Sequence, residues 1–236
     1  MRQIPVAGPL LAAILVLAFG SVAGAPSLPS PVRDLTPVFG AKIALFDGKS
    51  LAGWRAHFRD DSVDPAQAWS VADGILVCNG QPIGYLQTEM EFENFELLVE
   101  WRFDPVRGPG NSGVLLRTTG KDTVWPNSIE AQLHSRDAGD IWNIGEFPMR
   151  ADASRTRGRR TVKAHETNEK PLGEWNRYRI RLDRGDLTLE VNGLVQNEAT
   201  ACREMPGRIA LQSEGAYIEF RTVELRPIVA WRPSDR

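Results

Sequence analysis

Apolar and polar residues alternate along much of this 236-residue chain, which is the pattern of half-buried β-strands. In residues 95–103 every odd-numbered position is a large apolar residue, and three of the four even-numbered ones are charged. Segments 178–182 and 187–191 alternate in the same way. Turn-forming pairs such as Asp73-Gly74 and Asn192-Gly193 separate such segments and are typical of tight hairpins. The pattern therefore predicts many short antiparallel strands.

The predicted fold class is all-β, an antiparallel β-sandwich or jelly roll. Roughly a dozen short strands are expected, and no helical period of 3.6 residues is sustained beyond the N-terminal segment. The chain has no repeat of fixed period. It also lacks the glycine-rich nucleotide motifs, the paired-histidine zinc motif and the serine nucleophile elbow. Nucleotide-binding, zincin and serine-hydrolase functions therefore have no support.

The N-terminal segment is typical of an export signal. Arg2 precedes an apolar run from Leu10 to Phe19, and small residues around Ala23 and Ala25 offer cleavage sites. The run is shorter than the ~20 apolar residues of a membrane-spanning helix, although an uncleaved anchor is an alternative. We expect a signal peptide over 1–25, a Pro/Ser-rich linker over 26–37, the β-sandwich over 38–230 and a tail over 231–236. The expected location is periplasmic or extracellular.

The charge and the cysteine content limit the partners and sites that the chain is expected to have. Lys and Arg total 28 against 30 Asp and Glu, so nothing favours nucleic acid, or a membrane beyond the signal segment. The seven Trp serve either as core or as platforms that stack on sugars. Cys78 and Cys202 either form a disulfide or are two separate buried thiols. Neither has a His or a second Cys nearby in sequence, so a zinc site or Cys nucleophile is not expected.

Residues 128–134 are the most informative strand for function. Alternation places Glu130, Gln132 and His134 on one face and apolar residues on the other. A carboxylate, an amide and an imidazole in a row can bind and protonate a polar ligand. The alternative is a half-buried strand with a solvated polar face.

Several motifs together resemble the DUF1080 family, also called the 3-keto-disaccharide hydrolase domain. They include the segments 45–54, 69–76, 110–117 and 129–133, and the resemblance extends in order over residues 42–228. It implies a concanavalin A-like jelly roll. It also implies a carbohydrate substrate, because the family contains enzymes that cleave glycosides oxidised to a ketone at sugar C3.

The chemistry of such a substrate defines the residues required. The ketone acidifies the C2 proton, so a base can drive elimination of the C1 substituent, and water can then add. This needs a base, an electrophile for the C3 oxygen and an acid. The resemblance makes Glu130 the first choice for an acid/base or metal-ligand role, with Gln132 binding sugar hydroxyls. The alternatives are an ion pair at Glu130 and a cross-strand polar pair at Gln132.

Other candidates are open to two interpretations. Arg117 either polarises the keto oxygen or pairs with a carboxylate, and His134 is a base, acid or ligand, or a surface residue. Asn111 and Ser112 either approach the ligand or only build a turn.

In the irregular segment 135–171, Trp142 either stacks on a sugar or packs in the core. Lys163 and His165 either reach the cleft or lie in a solvated loop, and His57 is expected to be structural or exposed. No cofactor is required by the sequence, but a divalent metal is possible. Suitable ligands are Glu130, His134, Asp140 and His165, whose spacing matches no known metal motif. A structural Ca²⁺ is a further option.

Three functions compete. The first is a secreted enzyme that cleaves 3-keto-glycosides, by elimination and hydration or by net hydrolysis, with a sugar 3-oxidoreductase as a possible functional partner. The alternative is a non-catalytic, lectin-like carbohydrate-binding module. A retaining glycosidase ranks last, because it needs two nearby carboxylates and the strand carries Gln132 where the second would stand.

Overall fold

The computed structural model describes residues 35–234, which form two antiparallel sheets. The first nine strands are β1 (Leu35–Phe39), β2 (Ile43–Ala44), β3 (Trp54–Phe58), β4 (Trp69–Ala72), β5 (Ile75–Cys78), β6 (Gly84–Thr88), β7 (Phe95–Phe103), β8 (Gly113–Thr119) and β9 (Asn127–Gln132). The others are β10 (Ile141–Ile144), β11 (Arg150–Ala151), β12 (Thr156–Arg157), β13 (Arg160–Thr161), β14 (Asn176–Asp183), β15 (Asp186–Val191), β16 (Leu194–Thr200), β17 (Arg208–Ser213) and β18 (Ile218–Pro233). A short 3₁₀ helix spans Pro65–Gln67.

The larger sheet has ten strands and the smaller has eight. The larger runs β11-β16-β15-β14-β7-β18-β5-β4, with β1 and β2 also paired to β18. The smaller runs β12-β13-β10-β9-β8-β17-β6-β3. This arrangement confirms the predicted antiparallel β-sandwich. In the smaller sheet, β9 and β17 both border β8, so residues far apart in sequence meet on one face.

The core lies between the sheets. The five odd-numbered residues of β7, from Phe95 to Phe103, are buried, as are Ile129, Ala131 and Leu133 from the smaller sheet. Alternation sends the other side chains of the smaller sheet away from this core. There a second, small apolar cluster forms, made of Tyr85, Leu115, Ile144 and Ala210. The outer face of the smaller sheet is thus partly apolar, and it carries the candidate site.

The strands extend beyond the expected domain limits. β1 begins at Leu35, inside the segment expected to be linker, and Leu35 pairs with Pro233 of β18. Trp231, expected in the tail, pairs with Pro37 and donates a hydrogen bond from Nε1 to Asp183 Oδ1 at 2.8 Å. Both ends therefore belong to the larger sheet.

The predicted signal peptide lies outside the described residues. Within residues 35–234 no helix is long and apolar enough to cross a membrane. Cys78 and Cys202 are both free and buried, so the two-thiol alternative describes the structure. Burial raises the pKa of each thiol to about 11.

Candidate active site

Strand β9 supplies the central residue of the site. Glu130 lies opposite Trp142 of β10 on one side and Leu115 of β8 on the other. Its neighbours in sequence, Ile129 and Ala131, are buried in the core. Because side chains alternate along a strand, Glu130 and Gln132 must face outward onto the second face of the sheet.

Both residues line a cavity of about 260 Å³ on that face. The lining residues are Asn111, Trp125, Glu130, Gln132, Trp142, Ile144, Arg159 and Glu214. The pocket combines two carboxyls, two amides, one guanidinium and two indole rings. That mixture can bind a polar ring by hydrogen bonds and stacking together.

Glu130 is only 5% exposed, and its environment resists ionisation. Burial, and then the nearby charge of Glu214, raise the pKa of Glu130 to about 8, while the charge of Arg159 acts in the opposite direction. Burial also raises the pKa of Glu214 to about 7. Near neutral pH this pair can therefore hold one proton, which provides a carboxylate and a carboxylic acid in the same pocket.

The side chains of Glu130 and Gln212 fit against β8 because position 113 is a glycine. A Cβ at position 113 would lie 2.2 Å from Gln212 Oε1 and 2.6 Å from Glu130 Oε1. Both distances are far below normal contact, so any larger residue would displace one of these side chains. Gly113 thus lets Glu130 and Gln212 approach the backbone of β8.

Several polar atoms of the pocket have no protein partner among the described residues. Asn111 Oδ1, Glu130 Oε1 and Trp142 Nε1 are buried without a hydrogen bond there. Gln132 Oε1 accepts from the backbone N–H groups of Leu133 (2.8 Å) and His134 (2.7 Å). That leaves the amide nitrogen of Gln132 as its donor for a ligand. Buried polar groups normally find partners, so these atoms suit a bound polar molecule.

Two adjacent arginines, Arg159 and Arg160, differ in their hydrogen bonds and ion pairs. Arg160 Nε donates to Asp140 Oδ2 at 2.5 Å, and Arg160 also pairs with Asp137. The guanidinium of Arg159 makes no ion pair or hydrogen bond within residues 35–234 and lies 5.6 Å from the ring centre of Trp142. Arg159 is therefore the arginine available to an anionic or polarised oxygen in the pocket.

The structure places His134 outside the pocket. Strand β9 ends at Gln132, and His134 is exposed, with Nδ1 3.2 Å from Asp137 Oδ2. The predicted row of three polar residues on one face therefore stops at two.

Arg117 is also elsewhere, buried between backbone segments. It has a φ of 52° at a bulge in β8 and donates hydrogen bonds to the carbonyls of Glu93, Cys202 and Arg203. Within residues 35–234 it forms no ion pair with a carboxylate and does not line the pocket, so neither sequence interpretation describes it. Ser112 is buried too, and its Oγ donates to the Gln212 carbonyl at 2.9 Å. Of the Asn111-Ser112 pair, only Asn111 reaches the pocket.

The irregular segment contributes Trp142 and Arg159 but not Lys163 or His165. Lys163 Nζ donates to the Arg136 carbonyl at 2.6 Å and lies near Asp137 and Asp140. His165 is exposed, and the pocket lining does not include it. Among the described residues no three His, Cys, Asp or Glu side chains gather to hold a metal. The four candidate metal ligands are therefore not assembled.

Glu214, Arg159 and Trp125 were not among the site candidates predicted from the sequence. Glu214 lies in the turn between β17 and β18, and Trp125 between β8 and β9. The premise that a second carboxylate is missing is wrong, because Glu214 supplies it from a distant turn. The sequence does show a Glu214-Gly215 turn after a predicted strand. It does not show that this strand, β17, lies beside β8, and so it does not place Glu214 near Glu130.

The fold and the pocket together define a concanavalin A-like jelly roll with an acidic site on one sheet. A β-glucanase from Bacillus licheniformis has the same fold, with a TM-score of 0.53 at 11% identity, covering 84% of this chain and 99% of that one. A candidate glycosyl hydrolase from Parabacteroides distasonis gives a TM-score of 0.58 at 22% identity, covering 80% of this chain and 100% of that one.

The chain belongs to the family of 3-keto-alpha-glucoside-1,2-lyase-like domains, whose model matches residues 41–226. A 3-keto-disaccharide hydrolase from Bacteroides thetaiotaomicron is 30% identical over 162 residues, which cover 61% of this chain and 53% of that protein. The chain thus spans about half the length of this curated relative.

Proposed function

We propose that this protein cleaves 3-keto-glycosides in the pocket around Glu130. The observation that carries the proposal is the pairing of a buried carboxyl, Glu130, with a half-buried one, Glu214, both with raised pKa values in one cavity beside Arg159. Family membership and the name of the Bacteroides relative support the same substrate class.

In the first step Glu130, as carboxylate, takes the C2 proton of the bound sugar. A carboxyl whose pKa lies near 8 is a stronger base than an ordinary glutamate, and base catalysis works best with a pKa near the operating pH. The electrons left at C2 move into the ketone, which becomes an enolate at the C3 oxygen. The free guanidinium of Arg159 can stabilise that negative charge.

In the second step the enolate reforms the ketone and expels the C1 oxygen. Glu214, as carboxylic acid, donates its proton to that oxygen, so the aglycone leaves as an alcohol and a C1–C2 double bond remains. Gln132 and Asn111 hold the sugar hydroxyls, and Trp142 offers an indole face for the ring. The pKa values place the single proton of the pair mainly on Glu130, so the reactive form, with the proton on Glu214, is the minor one of the two singly protonated forms.

Water can then complete net hydrolysis. Glu214, now a carboxylate, removes a proton from water, and the oxygen adds at C1. Glu130 returns its proton to C2, which restores both groups. Release of the unsaturated sugar before this step would make the protein a lyase, and retention would make it a hydrolase.

We also propose that the protein is exported and that a separate sugar 3-oxidoreductase supplies the keto substrate. The signal-like segment supports export, and the need for an oxidised sugar supports the partner. Recovery of the intact N-terminus in the soluble cytoplasmic fraction, with none in exported fractions, would reject export.

The test incubates the protein with a 3-keto-glucoside and with its unoxidised parent, following the sugar products by mass spectrometry. We expect turnover of the keto form alone. Glu130→Gln and Glu214→Gln should each lower kcat by about 10²–10⁴-fold while remaining folded. Glu198→Gln, an exposed glutamate on β16, is the matched control.

Three results separate the alternatives. Cleavage of the parent glycoside would indicate an ordinary glycosidase. Sugar binding without turnover would indicate a lectin-like module. Full activity of Glu130→Gln would remove Glu130 from the mechanism.

A further inference from the structure

A second cavity adjoins the candidate active site. It has a volume of about 470 Å³, and its lining includes Trp125 and Glu214, which also line the pocket around Glu130. The two cavities therefore share a wall that includes Glu214, the residue that the proposed mechanism assigns to the leaving oxygen. A group attached to that oxygen would extend into the second cavity.

The walls of this cavity are mainly apolar. Phe58, Val63, Pro82, Ile83 and Val124 contribute to them, together with the ring of Trp125. Trp125 is 47% exposed, and Val63, Pro82, Ile83 and Val124 are each half-buried. Such residues present apolar surface that a ligand can cover.

Few polar groups face this cavity. Asp60 is at its rim, but its carboxylate accepts hydrogen bonds from Ser62 N at 2.9 Å and Ser62 Oγ at 2.7 Å. Arg59 is exposed at the same rim. The first pocket, by contrast, offers Asn111, Gln132 and Arg159. A second sugar in this cavity would find fewer polar partners for its hydroxyls than the first pocket offers, which costs binding energy.

The cavity wall is fixed to the Glu214 turn. Ser213 Oγ donates to the Pro82 carbonyl at 2.9 Å, and Gly215 N donates to the Gly80 carbonyl at 2.8 Å. These bonds flank Glu214 on both sides in sequence. They hold the loop with Pro82 and Ile83 beside the carboxyl, so the second cavity is built into the site.

We propose that this cavity is the aglycone site and that it selects an aromatic or otherwise apolar leaving group over a sugar. The inference rests on the proposed function, since an aglycone exists only for a glycoside substrate. It specifies a 3-keto-glycoside whose C1 oxygen carries a flat, apolar group that packs against Trp125, Ile83 and Val124.

The test compares three 3-keto-glucosides that differ in the aglycone: 4-nitrophenyl, methyl and glucosyl, each in both anomers. We expect 4-nitrophenyl to exceed glucosyl by about tenfold or more in kcat/KM. Because 4-nitrophenolate is also the better leaving group, the binding measurements and the variant ratios below assign the preference to the cavity. In parallel, binding of 4-nitrophenyl and methyl glucoside to Glu130→Gln is measured by calorimetry, which needs no turnover. The aryl form should bind about tenfold more tightly.

Ile83→Thr and Val124→Thr each place a hydroxyl in the apolar wall, and Val124→Thr does so with almost no change in volume. Each should lower the ratio of 4-nitrophenyl to methyl kcat/KM by about three- to tenfold, and lower the affinity ratio likewise. Val229→Thr, at an exposed position of β18, is the matched control and should keep both ratios.

The outcomes distinguish this inference from the proposed function. Turnover with equal or better use of the glucosyl aglycone would overturn the aglycone assignment and leave the function standing. Aryl preference in binding without any turnover would reject the function and keep the apolar site. Unchanged ratios in both threonine variants would overturn the assignment of the cavity.

Discussion

The carboxyls of Glu130 and Glu214 share one pocket, and the pKa of Glu130 rises to about 8 through burial first and the charge of Glu214 second. The two residues come from β9 and from the turn after β17. They meet because β8 pairs with both strands. One proton shared by the pair supplies the base and the acid that the proposed elimination needs.

The pair predicts a narrow pH optimum. Activity requires one carboxyl ionised and one protonated, so kcat/KM should rise with pH through about 7 and fall above about 8. Arg159 lowers the pKa of Glu130, so Arg159→Gln should move the falling limb to higher pH. Arg157→Gln, an exposed neighbour, is the control and should keep the limb in place. If the falling limb of the pH profile stays in place in Arg159→Gln, Arg159 does not lower the pKa of Glu130.

Stability should depend on the same carboxyl. In the folded protein the pKa of Glu130 lies near 8 instead of its ordinary 4.5, so the folded state binds more protons than the unfolded state between these values. Its contribution to stability is therefore present below pH ~4.5 and is lost as pH rises toward 8. At about 1.4 kcal/mol per pKa unit, the loss is at most roughly 5 kcal/mol.

Glu130→Gln removes this titration and should reduce the loss of unfolding free energy between pH 5 and pH 9 by at least about 2 kcal/mol. Urea unfolding of both proteins at the two pH values measures the difference. Glu198→Gln should behave like the unaltered protein. Equal losses in Glu130→Gln and the unaltered protein would show that Glu130 ionises normally in the fold.

Gly113→Ala should damage the site through crowding. The new Cβ would lie 2.2 Å from Gln212 Oε1 and 2.6 Å from Glu130 Oε1, so side chains must move. Overpacking of this kind costs about 1–3 kcal/mol, and a displaced base should lower kcat by about tenfold or more. Gly185→Ala is the control, because its nearest contact is an ordinary 3.4 Å. Thermal unfolding and kcat are measured for both, and a fully active Gly113→Ala would contradict the predicted crowding.

Arg117→Met should lower the stability of the fold and leave the catalytic rate nearly unchanged. Arg117 is buried and donates to three backbone carbonyls, so its removal leaves those acceptors unsatisfied. We expect a loss of about 2 kcal/mol or more in unfolding free energy. The kcat per folded molecule should stay within about twofold, since the side chain lies outside the pocket. A stable but inactive variant would return Arg117 to the mechanism.

The sequence alone was enough to predict the β-sandwich and to place Glu130 and Gln132 on the outward face of β9. Alternation in residues 95–103 and 128–132 is imposed by burial of every second side chain, and the structure buries those positions. The extension of this alternation to His134 is wrong: β9 ends at Gln132, whose Oε1 accepts the N–H groups of both following residues, and His134 is exposed. A side chain bonded to nearby backbone competes with sheet pairing, and alternation alone cannot reveal it.

Arg117 and Glu214 show two further limits. The bulge between Leu116 and Thr119 turns Arg117 away from the face that alternation indicates. Glu214 joins the site only because β17 lies beside β8, and strand order is set by long-range packing rather than by local pattern. The local sequence therefore indicated one carboxyl of the site, and the topology supplied the other.

The pairing of Leu35 with Pro233 places the first and last residues of the sheet side by side. A domain whose ends meet needs only a short connection to either side of another fold, and it tolerates insertion or circular permutation. Joining the two ends by a brief linker and opening the chain at an exposed turn such as Asn192-Gly193 should preserve both sheets. The same geometry lets this sandwich be carried as a module inside a longer polypeptide without distorting the face that holds Glu130.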